Sequence, residues 1–219
     1  MPIDKLVKGI SGNTAVTGAL SGAAGGALVS ALTGNKSAKK LLKAGGLVAV
    51  GGLAWQAYQS YQSSTSPGGG EAPSNGAPEY SPAVIPQLEK QDFEQVADAS
   101  SETAQVVLKA MIAAAHADGL LEDSERERIW QTALEQGGDA QVLASLSDEI
   151  RHPLSIAQLA ALADTMDKKI EVYAATLLLV EARSEAGETY LEALAAGLAL
   201  PRGLVLALRR QAEDSAAAA

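Results

Sequence analysis

From Ala104 onward, apolar residues recur at spacings of three and four, and that spacing dictates what the chain can fold into. Ala104, Val107, Leu108, Met111, Ile112 and Ala115 fall on one stripe of an α-helix. A second helix is expected from about Glu122 to Gln136, stopped by Gly137, a residue suited to the position just past a helix end. Val142, Leu143 and Leu146 mark a third. Ser155 and Gln158 form a capping box for a fourth, with Leu154 placed to staple onto Leu159. Ile170, Tyr173, Ala174, Leu177 and Leu178 make a fifth stripe. Ser184 caps a sixth helix carrying Tyr190, Leu191 and Leu194, and Pro201 opens a seventh with Leu204, Val205 and Leu208. No segment reads as a strand. The expected fold is all-α, with roughly seven helices in a C-terminal domain over 91–219.

Composition agrees with this reading. Apolar residues make up 47% of the chain but aromatics only 4%, so the core is built from Ala, Leu and Val. Such a core suits closely packed helices better than a sheet. The chain has no cysteine, which excludes disulfides, iron–sulfur clusters, thiolate zinc sites and a cysteine nucleophile.

Before the helical domain lies Ser63 to Gln87, SSTSPGGGEAPSNGAPEYSPAVIPQ, a Pro/Gly/Ser run with almost nothing to bury. It reads as a flexible linker over 63–90. The segment ahead of it, 1–62, is rich in Gly and Ala. Leu41 to Tyr61, LLKAGGLVAVGGLAWQAYQSY, would form a helix about 31 Å long, enough to cross a bilayer core. Trp55, Tyr58 and Tyr61 stand where an interfacial aromatic belt would. The 41–61 stretch is therefore expected to be a transmembrane anchor in contact with the lipid bilayer, with a Gly/Ala-rich soluble helix as the alternative. The earlier stretch Thr14 to Gly34 spaces Gly18, Gly22 and Gly26 four apart, a pattern by which helices approach closely in lipid, so self-association through these glycines is expected. Whether Thr14 to Gly34 also spans is left open by the residues.

Charge is divided between the two parts. Residues 1–60 hold six lysines against one aspartate, a net of +5, so the rest carries −14 of the chain's total of −9. The acidic body argues against nucleic acid as a partner, because phosphate contacts need clustered Lys and Arg. Lys36, Lys39, Lys40 and Lys43 precede the expected span, and no Lys or Arg follows until Lys90. The positive-inside rule then keeps the lysines in the cytoplasm and sends the C-terminal domain to the periplasmic side.

The stretch from His116 to Ile129, HADGLLEDSERERI, crowds acids around one glycine. Counted as a calcium EF-hand loop from Asp118, it offers Leu120 at the third position, Asp123 at the sixth and Ile129 at the twelfth. These are not the ligands and glycine that such a loop needs. As a helix start it fares better: Gly119 permits a turn, and Asp123 and Glu125 in the first turn favour the positive end of the helix dipole.

This order of segments resembles a known family. AAHADGLLEDSERERI resembles the signature opening the tellurite-resistance TerB-like domain, and VEARSEAGETYLEALAAGLALP resembles its second-half signature. GGLAWQAYQSYQ before a Pro/Gly run is similar to the N-terminal motif of the YebE-like bacterial inner-membrane proteins. The resemblance covers most of the chain. It implies an all-helical TerB-like domain on a membrane anchor, a link to metal or stress responses, and a divalent-cation site of acids. Asp118, Gly119 and Glu125 match the first signature. In the second, where the family offers Asp-x-Asp-Thr-x-x-Glu, Glu181 stands for the first acid, Arg183 replaces the next, Ser184 keeps the capping role and Gly187 replaces the glutamate. Any metal site thus rests on Asp118, Glu125 and Glu181.

Glu181 also continues the stripe of the fifth helix, four residues after Leu177, and a half-buried acid needs a partner or a raised pKa. His116 reads as a helix C-terminal residue and His152 as a turn residue before Pro153; two histidines without shared spacing do not make a zinc site. There is no Gly-x-Ser-x-Gly elbow and no phosphate loop, so no enzyme activity is expected. The expected function is that of a membrane-tethered helical interaction module, partnered by another membrane or envelope protein. A divalent-cation-binding domain is the alternative.

Overall fold

A computed structural model describes residues 36–65, 85–97, 101–116, 147–180 and 185–218. The described residues are helical, with no strand among them. Helix α1 (Lys36–Thr65) is followed by two 3₁₀ turns, Lys90–Phe93 and Gln95–Ala97, and then by α2 (Glu102–Ala115). After a helical stretch at 147–151 come α3 (Ile156–Leu162), α4 (Met166–Leu179), α5 (Glu185–Gly197) and α6 (Arg202–Ala218).

The local signals account for the boundaries. The Ser101 side chain accepts a hydrogen bond from the Ala104 amide and caps α2, satisfying one of its free N–H groups. Ser155 and Gln158 form the reciprocal capping box at α3, and Leu154 packs at the core's edge beside fully buried Leu159. Helix α5 ends with Ala199 in the left-handed region, φ 54°, while the Leu200 N–H reaches back to the Ala195 carbonyl. That closure satisfies the orphan carbonyls of the last turn.

Helix α4 lies at the centre. It packs against α1, α2, α5 and α6, and buries side chains around most of its circumference: Ile170, Val172, Tyr173, Ala174, Ala175 and Leu178. The stripe of α2 from Ala104 to Ile112 faces it. Leu191 and Leu194 of α5, with Leu204 and Leu208 of α6, complete the same core.

Helix α1, which holds the stretch expected as an anchor, belongs to that core too. Among the described residues no helix is long and apolar enough to cross a membrane. Leu47, Val50, Leu53, Ala54, Ala57 and Tyr58 are buried against α4 and α6, while Val48, Gly52, Gln56 and Gln59 are exposed. The physical reason lies in two glycines and the aromatics. A Cβ on Gly51 would stand 2.2 Å from the Phe93 carbonyl oxygen, so only glycine lets the first 3₁₀ turn close onto α1. A Cβ on Gly203 would stand 2.9 Å from the Tyr61 ring, which marks a close but looser approach of α6. The supposed aromatic belt is a packing cluster: Trp55, Tyr58 and Phe93 have ring centroids 5.7–6.0 Å apart. The Tyr58 hydroxyl donates to the Pro86 carbonyl at 3.0 Å and accepts from the Leu88 amide at 2.9 Å and from the Gln62 side chain. Residues 85–90, the end of the expected linker, and the 3₁₀ turns up to Ala97 are docked on α1, so α1 shares one core with the helices that follow.

Candidate functional site

Three groupings of ionisable side chains tie the described elements together, and one buried acid stands apart from them. Lys109 Nζ meets Glu149 Oε1 at 2.7 Å, joining α2 to the 147–151 stretch. Lys168 Nζ, nearly buried near the start of α4, lies 2.9 Å from Asp164 Oδ1 and 3.0 Å from Glu102 Oε2. Burial works against the Lys168 charge, but the hydrogen bonds and charges of Asp164 and Glu102 outweigh it and raise its pKa. The hydrogen bond and charge of Lys168 in turn hold the Asp164 carboxyl below its usual range. Arg209 of α6 reaches both Glu188 oxygens, at 2.6 and 2.9 Å, and its Nε donates to the Tyr173 hydroxyl at 3.3 Å. This fork ties α4, α5 and α6 together.

The isolated group is Glu171. It is 0% exposed, and neither carboxylate oxygen has a hydrogen-bond partner. Burial, assisted by the charge of Asp167 one turn earlier, pushes its pKa up to about 9, so it carries a proton at neutral pH. Glu171 precedes Ala174, Ala175 and Leu178 by three, four and seven residues, which places it on the buried stripe of α4. Other polar atoms are sealed without partners: Thr176 Oγ1 on the same helix, Tyr190 OH, whose pKa burial pushes up to about 12, and His116 Nε2.

The residues expected to form a metal site, Asp118, Glu125 and Glu181, lie outside the described residues, as do Gly18, Gly22 and Gly26. Among the described residues no group of three or more His, Asp or Glu side chains comes together to hold a metal ion. His116 caps the C-terminus of α2, as its sequence position indicates. His152 Nδ1 lies 3.3 Å from Asp148 Oδ1 on the exposed surface. Glu171 was missed because attention to buried acids went to Glu181; the three-, four- and seven-residue apolar spacing that marks it is present in the sequence.

A surface concavity among the described residues lies elsewhere. An open cleft of about 720 Å³ runs between α1 and α6, lined by Trp55, Gln56, Gln59, Ser60, Gln62 and Ser63 of α1 and by Gln211 of α6. Gln211 Nε2 donates to Gln56 Oε1 at 2.6 Å across it. None of these lining groups titrates near neutral pH, so the cleft offers hydrogen-bond donors and acceptors and one indole face, without a general acid or base.

The family described as "Protein of unknown function (DUF533)" matches residues 15–212. The chain belongs to that family. The match takes in α1, the following turns and α6 as far as Ala212, so the family unit includes the helix that packs into the core. Neither the curated proteins nor the solved structures yield a match.

Proposed function

We propose that this chain is a membrane-associated helical interaction module of the TerB-like kind, without catalysis, on a bacterial inner membrane. The observation that carries the reading is the cleft between α1 and α6. Its Gln and Ser side chains both donate and accept hydrogen bonds beside the half-buried Trp55, which suits an extended polypeptide segment whose backbone needs both. The lining of the cleft holds no ionisable side chain, which favours binding over acid–base chemistry. Membrane association draws on the sequence from Thr14 to Gly34, which holds no charged residue and is followed by Lys36, Lys39, Lys40 and Lys43.

The test is site-specific photo-crosslinking in living cells. A crosslinker at Gln59 or Ser63, on the cleft, should give a discrete protein adduct that Trp55→Ala abolishes. The same crosslinker at exposed Glu192 of α5 should give none. Adducts of equal yield from all three positions, or none from the cleft positions, would sink the reading.

A further inference from the structure

The burial of α1 decides which way the chain faces. Placing the C-terminal domain in the periplasm needed a membrane crossing between the lysines and that domain. The stretch available for it, Leu41 to Tyr61, has Leu47, Val50, Ala54, Ala57 and Tyr58 inside the domain's own core. A helix whose apolar face is committed to α4 and α6, and whose other face carries Gln56, Gln59 and Ser60, has no second apolar face for lipid. The same body also reclaims the chain further on. The Tyr58 hydroxyl pairs with Pro86 and Leu88, and Ile85 and Leu88 pack on the core. Lys36, Lys39, Lys40 and Lys43 therefore sit on the helix that forms part of the domain. They precede its first core residue, Leu47, by at most about 16 Å of helical rise.

We infer that the helical domain lies on the cytoplasmic side of the membrane, with the lysine-bearing first turns of α1 against anionic lipid headgroups. This rests on the reading of Thr14 to Gly34 as the membrane-seeking segment. With no membrane-crossing helix among the described residues from Lys36 on, the positive-inside rule that retains the lysines also retains the domain beyond them. The lysines occupy positions i, i+3, i+4 and i+7, the spacing of one helical face, and they are four of the six lysines that make 1–60 net +5 in a chain whose residues beyond 60 are net −14. An acidic body is repelled by an anionic leaflet, so the basic turns are the part of this chain whose charge complements it.

The chain has no cysteine, so single-cysteine variants report sidedness directly. Gln59→Cys and Asp214→Cys place thiols at exposed positions of α1 and α6. Ser11→Cys places one ahead of Thr14. In cells with a permeabilised outer membrane, a membrane-impermeant maleimide should label Ser11→Cys at once, and the other two only after the inner membrane is opened. Changing all four lysines to Gln should make Gln59→Cys accessible from outside in part of the population. Full labelling of Gln59→Cys and Asp214→Cys in closed cells, with the protein still in the membrane pellet, would overturn the cytoplasmic placement and leave the membrane reading intact. Recovery of the chain in the soluble fraction would overturn both. Unchanged sidedness in the four-Gln variant would overturn the role given to the lysines.

Discussion

Replacing Glu171 with Gln should make the protein more stable at neutral pH, by an amount that grows as the pH rises. In the folded state the carboxyl keeps its proton to about pH 9, whereas its ordinary value is 4.5. Between those values the unfolded chain has released the proton and the folded chain has not. Unfolding therefore becomes easier as pH rises: the contribution is absent below about pH 4.5 and reaches its full size above about pH 9. Each pH unit in that window corresponds to about 1.4 kcal/mol, so the penalty at pH 7 is about 3 kcal/mol. Gln has the same shape and no proton to lose. Its amide is buried as the protonated acid is, so the unpartnered polar group remains and the ionisation is removed. The assay is urea unfolding of wild type and Glu171→Gln at pH 5, 7 and 9, in the same mild detergent throughout. The two should nearly coincide at pH 5 and separate progressively towards pH 9, which cancels other titrating groups from the comparison. Glu171→Leu should add about 1–3 kcal/mol at every pH by removing the unpartnered oxygens. Parallel pH profiles for wild type and Glu171→Gln would refute the reasoning, because they would mean that Glu171 is ionised and partnered in the folded protein.

Other expectations follow from the packing. Gly51→Ala should destabilise by about 1–3 kcal/mol, since the new Cβ would overlap the Phe93 carbonyl; a thermal melt that matches wild type would show that the first 3₁₀ turn does not close on α1. Ala199→Gly should stabilise by about 1 kcal/mol by relieving the left-handed backbone at the end of α5, read as a rise in the urea midpoint. Residues 85–219 without α1 should melt without a cooperative transition in calorimetry. That fragment would lose Leu47, Val50, Leu53 and Tyr58 from the core, each worth about 2 kcal/mol of burial. Tyr58→Phe should cost about 1–3 kcal/mol by stranding the Leu88 amide and the Pro86 carbonyl, and should raise hydrogen exchange at Leu88.

The all-helical architecture was legible because its signals are local. The capping box at Ser155 and the stripes of α2 and α4 depend on residues a turn apart, and the structure shows them as the sequence indicates. What α1 packs against was not legible. Leu41 to Tyr61 is rich in Gly and Ala, and small residues permit close approach equally in lipid and in a protein core. The deciding contacts, Gly51 with Phe93 and Gly203 with Tyr61, join residues far apart in the chain. The exposed Gln56, Gln59 and Ser60 were the available clue, since three polar residues on one face of a supposed span would need partners in lipid.

The same distinction separates Glu171 from the acids that the resemblance emphasised. Asp118, Glu125 and Glu181 were singled out by motif, a relation to other sequences. Glu171 is singled out by its place among Ala174, Ala175 and Leu178, a relation to its own helix. An acid kept at a site where Leu would pack lowers stability at neutral pH, and natural chains break packing rules of this kind most often where function demands it. Glu171 is thus a described residue whose presence packing does not explain. Ionising Glu171 would favour arrangements of the helices that admit water to it, at the cost of the packing of α4, which touches α1, α2, α5 and α6.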